Sequence, residues 1–389
     1  MLSSPHRTLR APNRGTAAKW NLLGPTMDTA AILAKMGCDA PNPIIVDTWA
    51  YGPWFRMMAA ETTQSDEQLG KRDIGSLNLE AALGLPGAEG LNVDGCVQKL
   101  NMWAELVRHN TEGRWYMFLR SPDKYDHSPA KFRMLVLVTV LQKHLDVYYN
   151  LPFSEGDYNA TDSRNLFIHG ILSGHGGTCV TMPILYIAIG RRLGYPLKLV
   201  RAKEHLFARW EEPGGERFNI ECTSPGFRAV DDEYYHRWPK ALTEDELRSR
   251  SFLRNLRPRE ELAEFLYERA RCLIDNLRLG EALLSCFLSA RLAPEDPGVR
   301  GTWSIVTLMA RALEQARQKA GLDGYAGLDL RKVPVPVGKE LFEQWAAPIV
   351  RESLQRIARI HASARARAHG RSFGPLARAS GRRVSHTNL

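Results

Sequence analysis

Cys179, His205 and Glu221 have the residue types, in the order, that nucleophilic chemistry requires. A cysteine reacts as the thiolate, so it needs an imidazole that accepts the thiol proton. The imidazole in turn needs a third group that fixes its tautomer, and a carboxylate does this. Each residue alone is more often structural: a small buried thiol, a hydrogen-bonding imidazole or a solvated carboxylate. Together and in this order they predict a Cys-His-Glu triad.

The segment around Cys179 has the pattern of a tight turn followed by a helix. Gly176 and Gly177 permit close approach of the backbone and leave N–H groups near the sulfur. Residues 180–194 then carry an apolar helical pattern that ends in two arginines and a glycine. We therefore expect Cys179 at a helix N-terminus, where the helix dipole favours a thiolate.

Three strand-like runs follow this helix and are expected to carry the histidine and the acid. They are LKLVRA, HLFARW and RFNIECT, at 197–202, 205–210 and 217–223. A five-residue hairpin loop at 211–215 would place Trp210 opposite Glu216. In that register His205 lies opposite Glu221, with the Cβ atoms ~5 Å apart on one face. A slip of one residue would put the two side chains on opposite faces.

A zinc site is the other use considered for the histidines of this region. His169, His175, Cys179 and His205 all carry ligand side chains. Their spacing matches no common structural zinc pattern, and no second cysteine pair completes a tetrahedral set. We therefore expect neither a metal nor another cofactor.

Helical patterns lie on both sides of this region. Upstream, residues 73–85, residues 93–107 and the apolar run after Ser128 form a predicted helical layer, whose last member should be buried. Downstream, residues 262–297 have the pattern of a helix-turn-helix of about one tetratricopeptide length. Only one copy of this pattern is present, and repeat arrays need about three, so we expect a helical pair packed on the body.

The formal net charge of +9 is concentrated towards the two ends of the chain. Residues 1–27 carry +4 and residues 351–389 carry +8, so the rest carries −3. Nucleic-acid binding is therefore expected only through these tails. The hydrophobic content of 44% excludes wholesale disorder, and no apolar run approaches the length of a membrane helix. The six cysteines include no CxxC pair, which favours a reducing compartment and a cytoplasmic location.

Residues 177–226 resemble the transglutaminase-like core of the papain-type cysteine superfamily. The resemblance is carried by GTCVTMPILYIAIGRRLGYPLKLVRAKEHLFARW and RFNIECTSPG, which give the cysteine helix, the next strand and the hairpin in order. The upstream helical segments resemble in particular the bacterial SirB-type branch, in which tetratricopeptide-like helices follow this core. In all, the resemblance covers about residues 70–300.

This resemblance implies an α+β fold with a Cys-His-acid triad. Cys179, His205 and Glu221 match the family's cysteine, histidine and acid. The family's acid is most often Asp, so Glu221 departs from the pattern by one methylene, which would shift the imidazole. The donor that completes the superfamily's oxyanion hole has no clear counterpart here, and Asn165 and His169 are the candidates for this oxyanion or auxiliary role.

The predicted architecture is α+β, with a helical N-terminal layer, a core in which the cysteine helix packs on an antiparallel sheet, and one or more C-terminal helical pairs. The predicted domains are a basic disordered tail (1–27), an undecided segment (28–70), a helical N-terminal part (71–150), the transglutaminase-like core (151–240), a tetratricopeptide-like helical region (241–345) and an Arg-rich tail (346–389).

The predicted activity is amide acyl chemistry on a peptide or protein substrate. Cys179 would attack a peptide or side-chain carboxamide, with His205 as base and then acid and Glu221 orienting it. Hydrolysis and transfer to an amine use the same residues, so both stay open. The alternative is a non-enzymatic scaffold or regulator that keeps the core for its shape and binds a partner protein through residues 241–345.

Overall fold

The computed structural model describes residues 52–150, 160–249, 251–276, 278–296 and 299. The tails expected at 1–27 and 346–389 lie outside the described residues, as do residues 28–51 and 300–345. The described part combines helices with one antiparallel sheet, so the predicted α+β class is confirmed.

The helices and strands are numbered here in chain order. The α-helices of the described residues are α1 (Gly52–Glu61), α2 (Asp66–Gly70), α3 (Ile74–Ala82), α4 (Val93–Arg120), α5 (Pro129–Thr139), α6 (His169–Leu172), α7 (Thr181–Arg192), α8 (Asp232–Arg237), α9 (Glu244–Arg248), α10 (Pro258–Asp275) and α11 (Leu279–Leu292). The strands β1 (Leu197–Ala202), β2 (His205–Glu211), β3 (Arg217–Ile220) and β4 (Ala229–Val230) form an antiparallel sheet in that order. Within the described ranges, no helix combines the length and apolar character needed to cross a membrane.

The predicted helical layer begins where its capping residues indicate. The side-chain oxygens of Asp73, Asn92 and Ser128 accept hydrogen bonds from backbone N–H groups in the first turns of α3, α4 and α5, respectively. Pro129 takes the first position of α5, and most of that helix is buried as expected. Helix α4 continues to Arg120, well past its apolar pattern, because Phe118 in its last turn packs against Phe132 of α5, with ring centroids 5.7 Å apart.

The segment that the sequence left undecided is helical from residue 52 onward and packs on this layer. Trp54 Nε1–H donates to the Glu80 carbonyl oxygen at 2.8 Å. The Arg269 guanidinium of α10 lies 3.6 Å from the centroid of the Trp54 ring. Helices α1 and α10 therefore meet around one tryptophan.

Helix α7 lies against the sheet and is buried from Thr181 to Gly190. A side chain at Gly190 would place its Cβ 2.3 Å from Leu197 Cδ1, so glycine permits the close approach of α7 to β1. The three predicted strands are present, although β3 ends at Ile220, short of the predicted end at residue 223. Helix α7, β1 and β2 form the centre of the core, which fixes the turn before α7 relative to the sheet.

The C-terminal pair α10 and α11 forms the predicted helix-turn-helix. Ser289 Oγ–H donates to the Ala263 carbonyl oxygen at 2.8 Å, which joins the two helices. The Arg191 guanidinium donates to both oxygens of Glu261, at 2.9 and 2.6 Å, which joins α10 to the end of α7. The C-terminal pair is thus attached to the helix that follows the cysteine.

Candidate active site

The turn that carries Cys179 is held by the side chain before it. Thr178 Oγ1 accepts from the amides of Val180 and Thr181 at 3.3 and 3.4 Å, and the Met182 amide donates to the Thr178 carbonyl oxygen at 3.0 Å. These bonds extend the first turn of α7 back to Thr178. Cys179 therefore lies in the turn that leads into the N-terminus of α7, two residues before Thr181, and it is partly exposed.

Two glycines before this turn let the backbone pass close to Tyr148 and Asn150. Gly176 has φ +82°, and a Cβ there would lie 2.6 Å from Cε2 of Tyr148. Gly177 is bonded on both sides: its amide donates to the Tyr148 carbonyl oxygen at 2.8 Å, and its carbonyl oxygen accepts from the Asn150 amide at 2.7 Å. The backbone in front of Cys179 is thereby fixed.

His205 is the buried histidine of the candidate site, and it is the first residue of β2, as predicted. Its Nε2 lies 3.0 Å from Glu221 Oε2, and the Cys179 side chain is near enough to favour the charged form of the ring. Burial opposes the charged imidazole, but the interactions with Cys179 and Glu221 outweigh it and raise the pKa of His205 to about 9. The Trp238 ring packs edge-on against the imidazole, with the two ring centroids 4.7 Å apart.

Glu221 is the buried acid of the site and is held on both oxygens. Oε1 accepts from the Thr223 amide at 2.8 Å and from the Thr223 hydroxyl, and Oε2 accepts from the Tyr235 hydroxyl at 2.9 Å. Burial would raise the pKa of this carboxyl, but the bonds from His205 and Thr223 lower it below its usual value. Glu221 is therefore a fixed carboxylate that orients the imidazole.

The strand register that brings His205 and Glu221 together differs from the predicted one. The hairpin loop has five residues as expected but spans 212–216, so that Glu211 pairs with Arg217 and Trp210 with Phe218. The predicted pairing of Trp210 with Glu216 is therefore wrong by two residues. Because side chains alternate with a period of two, this shift keeps His205 and Glu221 on one face, as diagonal rather than direct neighbours.

Two aromatic residues of the α8 segment complete the site, and sequence reasoning did not find them. Tyr235 is fully buried, stacks on Phe207 of β2 at 3.8 Å and 5°, and bonds to Glu221. Trp238 is 36% exposed, and its ring meets the His205 ring edge-on. The capping residue Asp231 marks the start of α8 in the sequence, but no local pattern shows which of its aromatic side chains faces Glu221.

A buried arginine fixes α8 to the sheet beside the site. Arg209 of β2 is 2% exposed and donates to Asn219 Oδ1 of β3 at 2.7 Å and to Asp232 Oδ1 of α8 at 2.6 Å. Asn219 also donates to the same carboxylate oxygen at 2.8 Å. Tyr235 is thus placed by a network that spans two strands and one helix.

The two residues expected in an oxyanion or auxiliary role lie in different surroundings. Asn165 is next to the cysteine turn, because its carbonyl oxygen accepts from Thr178 Oγ1 at 2.9 Å and its side-chain oxygen from His175 Nε2 at 3.0 Å. His169 is buried with Nε2 3.1 Å from Ser163 Oγ, and burial lowers its pKa to about 4. The structure thus brings Asn165 to the turn and leaves His169 as a neutral side chain bonded to Ser163.

The histidines considered as zinc ligands do not converge. Of that set, Cys179 meets His205, while His175 and His169 bond to other partners. Among the described residues, no three His, Cys, Asp or Glu side chains are grouped so as to hold a metal ion.

The chain was compared with protein families, curated proteins and solved structures. Residues 96–266 match the family described as "Transglutaminase-like superfamily". F-box only protein 21 of Mus musculus is 31% identical over 64 residues, which cover 16% of this chain and 10% of that protein. The same protein of Pongo abelii is 30% identical over 82 residues, which cover 20% and 13%. The chain thus spans roughly a tenth of the length of these relatives, and no solved structure matches it.

The family match and the geometry concern the same part of the chain. The matched range contains the cysteine turn, the sheet and the buried acid, and extends from α4 into α10. Residues 96–266 therefore form a domain of the transglutaminase-like superfamily, within an α+β fold.

Proposed function

We propose that this domain cleaves or transfers acyl groups from peptide or side-chain carboxamides through Cys179, His205 and Glu221. The observation that carries the proposal is the difference in solvent exposure between the cysteine and its two partners. The cysteine is partly exposed, whereas its imidazole partner and the carboxylate are 6% and 2% exposed. A substrate can reach the sulfur while the groups that move and balance the proton stay out of water.

The proposed reaction has two steps. The Cys179 thiolate attacks the carbonyl carbon and forms a C–S bond, while His205 gives its proton to the departing nitrogen as the C–N bond breaks. Water or an amine then loses a proton to neutral His205 and attacks the thioester carbonyl; the C–S bond breaks and releases the Cys179 thiolate beside the imidazolium. Glu221 keeps the imidazole oriented and stabilises its charged form in both steps.

One backbone donor is suited to the oxyanion that forms in each step. Within the described residues, the Cys179 amide has no hydrogen-bond partner, and it lies in the turn just before α7, next to the free N–H groups of the helix N-terminus. Asn165 is joined to the same turn, because its carbonyl oxygen accepts a hydrogen bond from the Thr178 hydroxyl. We propose the Cys179 amide as one oxyanion donor and Asn165 as the side chain that supports it.

We also propose the finer relationships that the sequence predicts. The order of a helical layer, a cysteine core and the pair α10–α11 supports a SirB-type arrangement with tetratricopeptide-like helices, which would give the enzyme a surface for a protein partner. The free cysteines of the described residues, three of them buried, support a reducing compartment such as the cytoplasm.

The decisive experiment compares two partly exposed cysteines in the same molecule. The full chain is treated with iodoacetamide near neutral pH, and modification of Cys179 and Cys96 is followed by peptide mapping. We expect Cys179 to react at least ~10-fold faster, because Cys96 has no imidazole partner among the described residues and burial raises its pKa. The His205→Ala variant should lose this advantage.

The reaction class is then tested on a glutamine-rich unstructured protein with a biotinylated amine. Covalent biotin that depends on Cys179 indicates acyl transfer, and ammonia or new peptide ends without biotin indicate hydrolysis. If Cys179 reacts no faster than Cys96 and neither product forms, the catalytic proposal is wrong and the scaffold alternative takes its place.

A further inference from the structure

A cavity of about 320 Å³ lies at the end of α7 away from the cysteine turn. One wall is a single face of α4, with residues at spacings of three and four, Arg108, Thr111, Glu112 and Trp115. The other walls are Arg133 of α5 and, just after α7, Leu193 and Tyr195. Helix α7 has 12 residues, so ~18 Å of helix separates this cavity from Cys179. Its volume is within the range of small-molecule sites.

The positive charge available to a ligand comes from Arg133. Among the described residues Arg133 has no ion pair, and its guanidinium lies 5.5 Å from the centroid of the Trp115 ring. Arg108 differs, because its Nη2 already pairs with Glu105 at 3.1 Å. Glu112 is an exposed wall residue and disfavours a second negative charge. The cavity therefore matches one anionic group.

The remaining surface is aromatic, apolar and rigid. Trp115 is held by Phe118 and Phe132, at 4.9 and 5.5 Å between ring centroids. Burial raises the pKa of Tyr195, so this phenol stays neutral. A neutral phenol and a fixed indole face suit a planar apolar group rather than a sugar or a cation.

We propose that this cavity binds a small aromatic monocarboxylate. The carboxylate accepts two parallel N–H bonds from the Arg133 guanidinium, the geometry in which arginine binds this group best. The ring lies against Trp115 and Leu193. Binding involves no covalent step and no residue of the candidate triad, so the site is independent of the proposed acyl chemistry.

The test uses 4-fluorobenzoate as the probe and the full chain as the protein. Fluorine NMR line broadening reports binding, and unlabelled benzoate and benzamide are compared as competitors, since benzamide has the same ring without the charge. The variants are Arg133→Gln, the matched control Arg120→Gln on the exposed last residue of α4, and Cys179→Ala. Circular dichroism checks that each variant is folded.

We expect benzoate to displace the probe and benzamide to compete at least ~10-fold more weakly. Arg133→Gln should weaken binding at least ~10-fold, and Arg133→Lys should restore part of it, whereas Arg120→Gln and Cys179→Ala should leave it unchanged. Absence of broadening, equal competition by benzamide, or unchanged binding in Arg133→Gln would each overturn the proposal. Loss of binding in Cys179→Ala would place the probe at the triad instead and also contradict it.

Discussion

His205 lies between two partners of different kinds, the Cys179 thiol and the Glu221 carboxylate. Both favour a charged imidazole, and burial alone would remove that charge. The carboxylate is itself held by Thr223 and Tyr235, so it cannot turn away from the ring. At the scale of residues, the site is thus a short chain of hydrogen bonds in which each member fixes the next.

The first prediction concerns the pH dependence of stability. The folded pKa of His205, about 9, lies above its ordinary value of 6.5. Its contribution to folding is therefore complete below about pH 6.5 and is lost as the pH rises through about 9. Urea unfolding should show the stability difference between wild type and His205→Gln shrinking over this range, by up to ~3 kcal/mol. A difference that stays constant with pH contradicts the buried ion pair.

Glu221 makes stability depend on pH in the acidic range, and urea unfolding measures this too. Its lowered pKa means that its contribution is present above the ordinary value of 4.5 and is lost as the pH falls through the folded pKa. The stability difference between wild type and Glu221→Gln should therefore decrease on acidification below about pH 4.5, in the opposite sense to the histidine effect.

At the scale of elements, the turn before α7 shows how a helix start places the candidate nucleophile Cys179. Thr178 is 1% exposed, accepts two amide bonds of the turn and donates to the Asn165 carbonyl oxygen. Gly190 lets the same helix approach β1, and so fixes the distance between the turn and the strand that carries His205. The geometry of the site thus depends on both ends of one helix.

The second prediction removes the hydroxyl of this turn. Thr178→Val keeps the shape of the side chain but leaves buried amides and a carbonyl oxygen without their partner, which should lower the free energy of unfolding by about 1–3 kcal/mol. It should also slow iodoacetamide modification of Cys179. The matched control Thr243→Val removes the equivalent cap of α9, where the bonded groups are exposed, and should leave this rate unchanged. Equal rates in the two variants would contradict a positioning role for Thr178.

The whole described body is joined by arginine–carboxylate pairs that cross its layers. Arg192 at the end of α7 pairs with Asp73 before α3 at 2.7 Å. Arg201 of β1 pairs with Glu264 of α10 and with Asp296. The domain boundaries expected near residues 150 and 240 stay predictions, and the family match from 96 to 266 spans both.

The third prediction tests the link between the sheet and the C-terminal pair. Arg201→Met leaves two mostly buried carboxylates without their cation and should lower the free energy of unfolding by about 3 kcal/mol. The control Arg237→Met removes an ion pair that is 81% exposed on the arginine side and should change stability by less than about 0.5 kcal/mol. Urea unfolding of both variants measures the contrast. A similar, small effect in both would mean that the pair α10–α11 is joined to the sheet by apolar contacts alone.

Local patterns were enough to predict the helix and strands around Cys179, His205 and Glu221, but not α8. Apolar spacing gave α3 and α4, Ser128 as a cap gave the start of α5, and a glycine turn before an apolar helix gave the place of Cys179. The alternation of strand residues put His205 and Glu221 on one face, even though the loop position was wrong. Because side chains alternate with a period of two, a register error of two residues leaves both side chains on the predicted face of the sheet.

By itself, the sequence determined the candidate residues Cys179, His205 and Glu221 and the turn and strands expected to carry them. The tertiary structure alone decided that the hairpin loop is 212–216, that Tyr235 and Thr223 hold the carboxylate, that Trp238 packs edge-on against the imidazole, and that a cavity with Arg133 lies at the far end of α7. The reason is physical. Helix caps and side-chain alternation depend on residues a few positions apart. These contacts instead join segments that are distant in sequence and meet only when α7 packs on the sheet and α8 packs against β2 and β3.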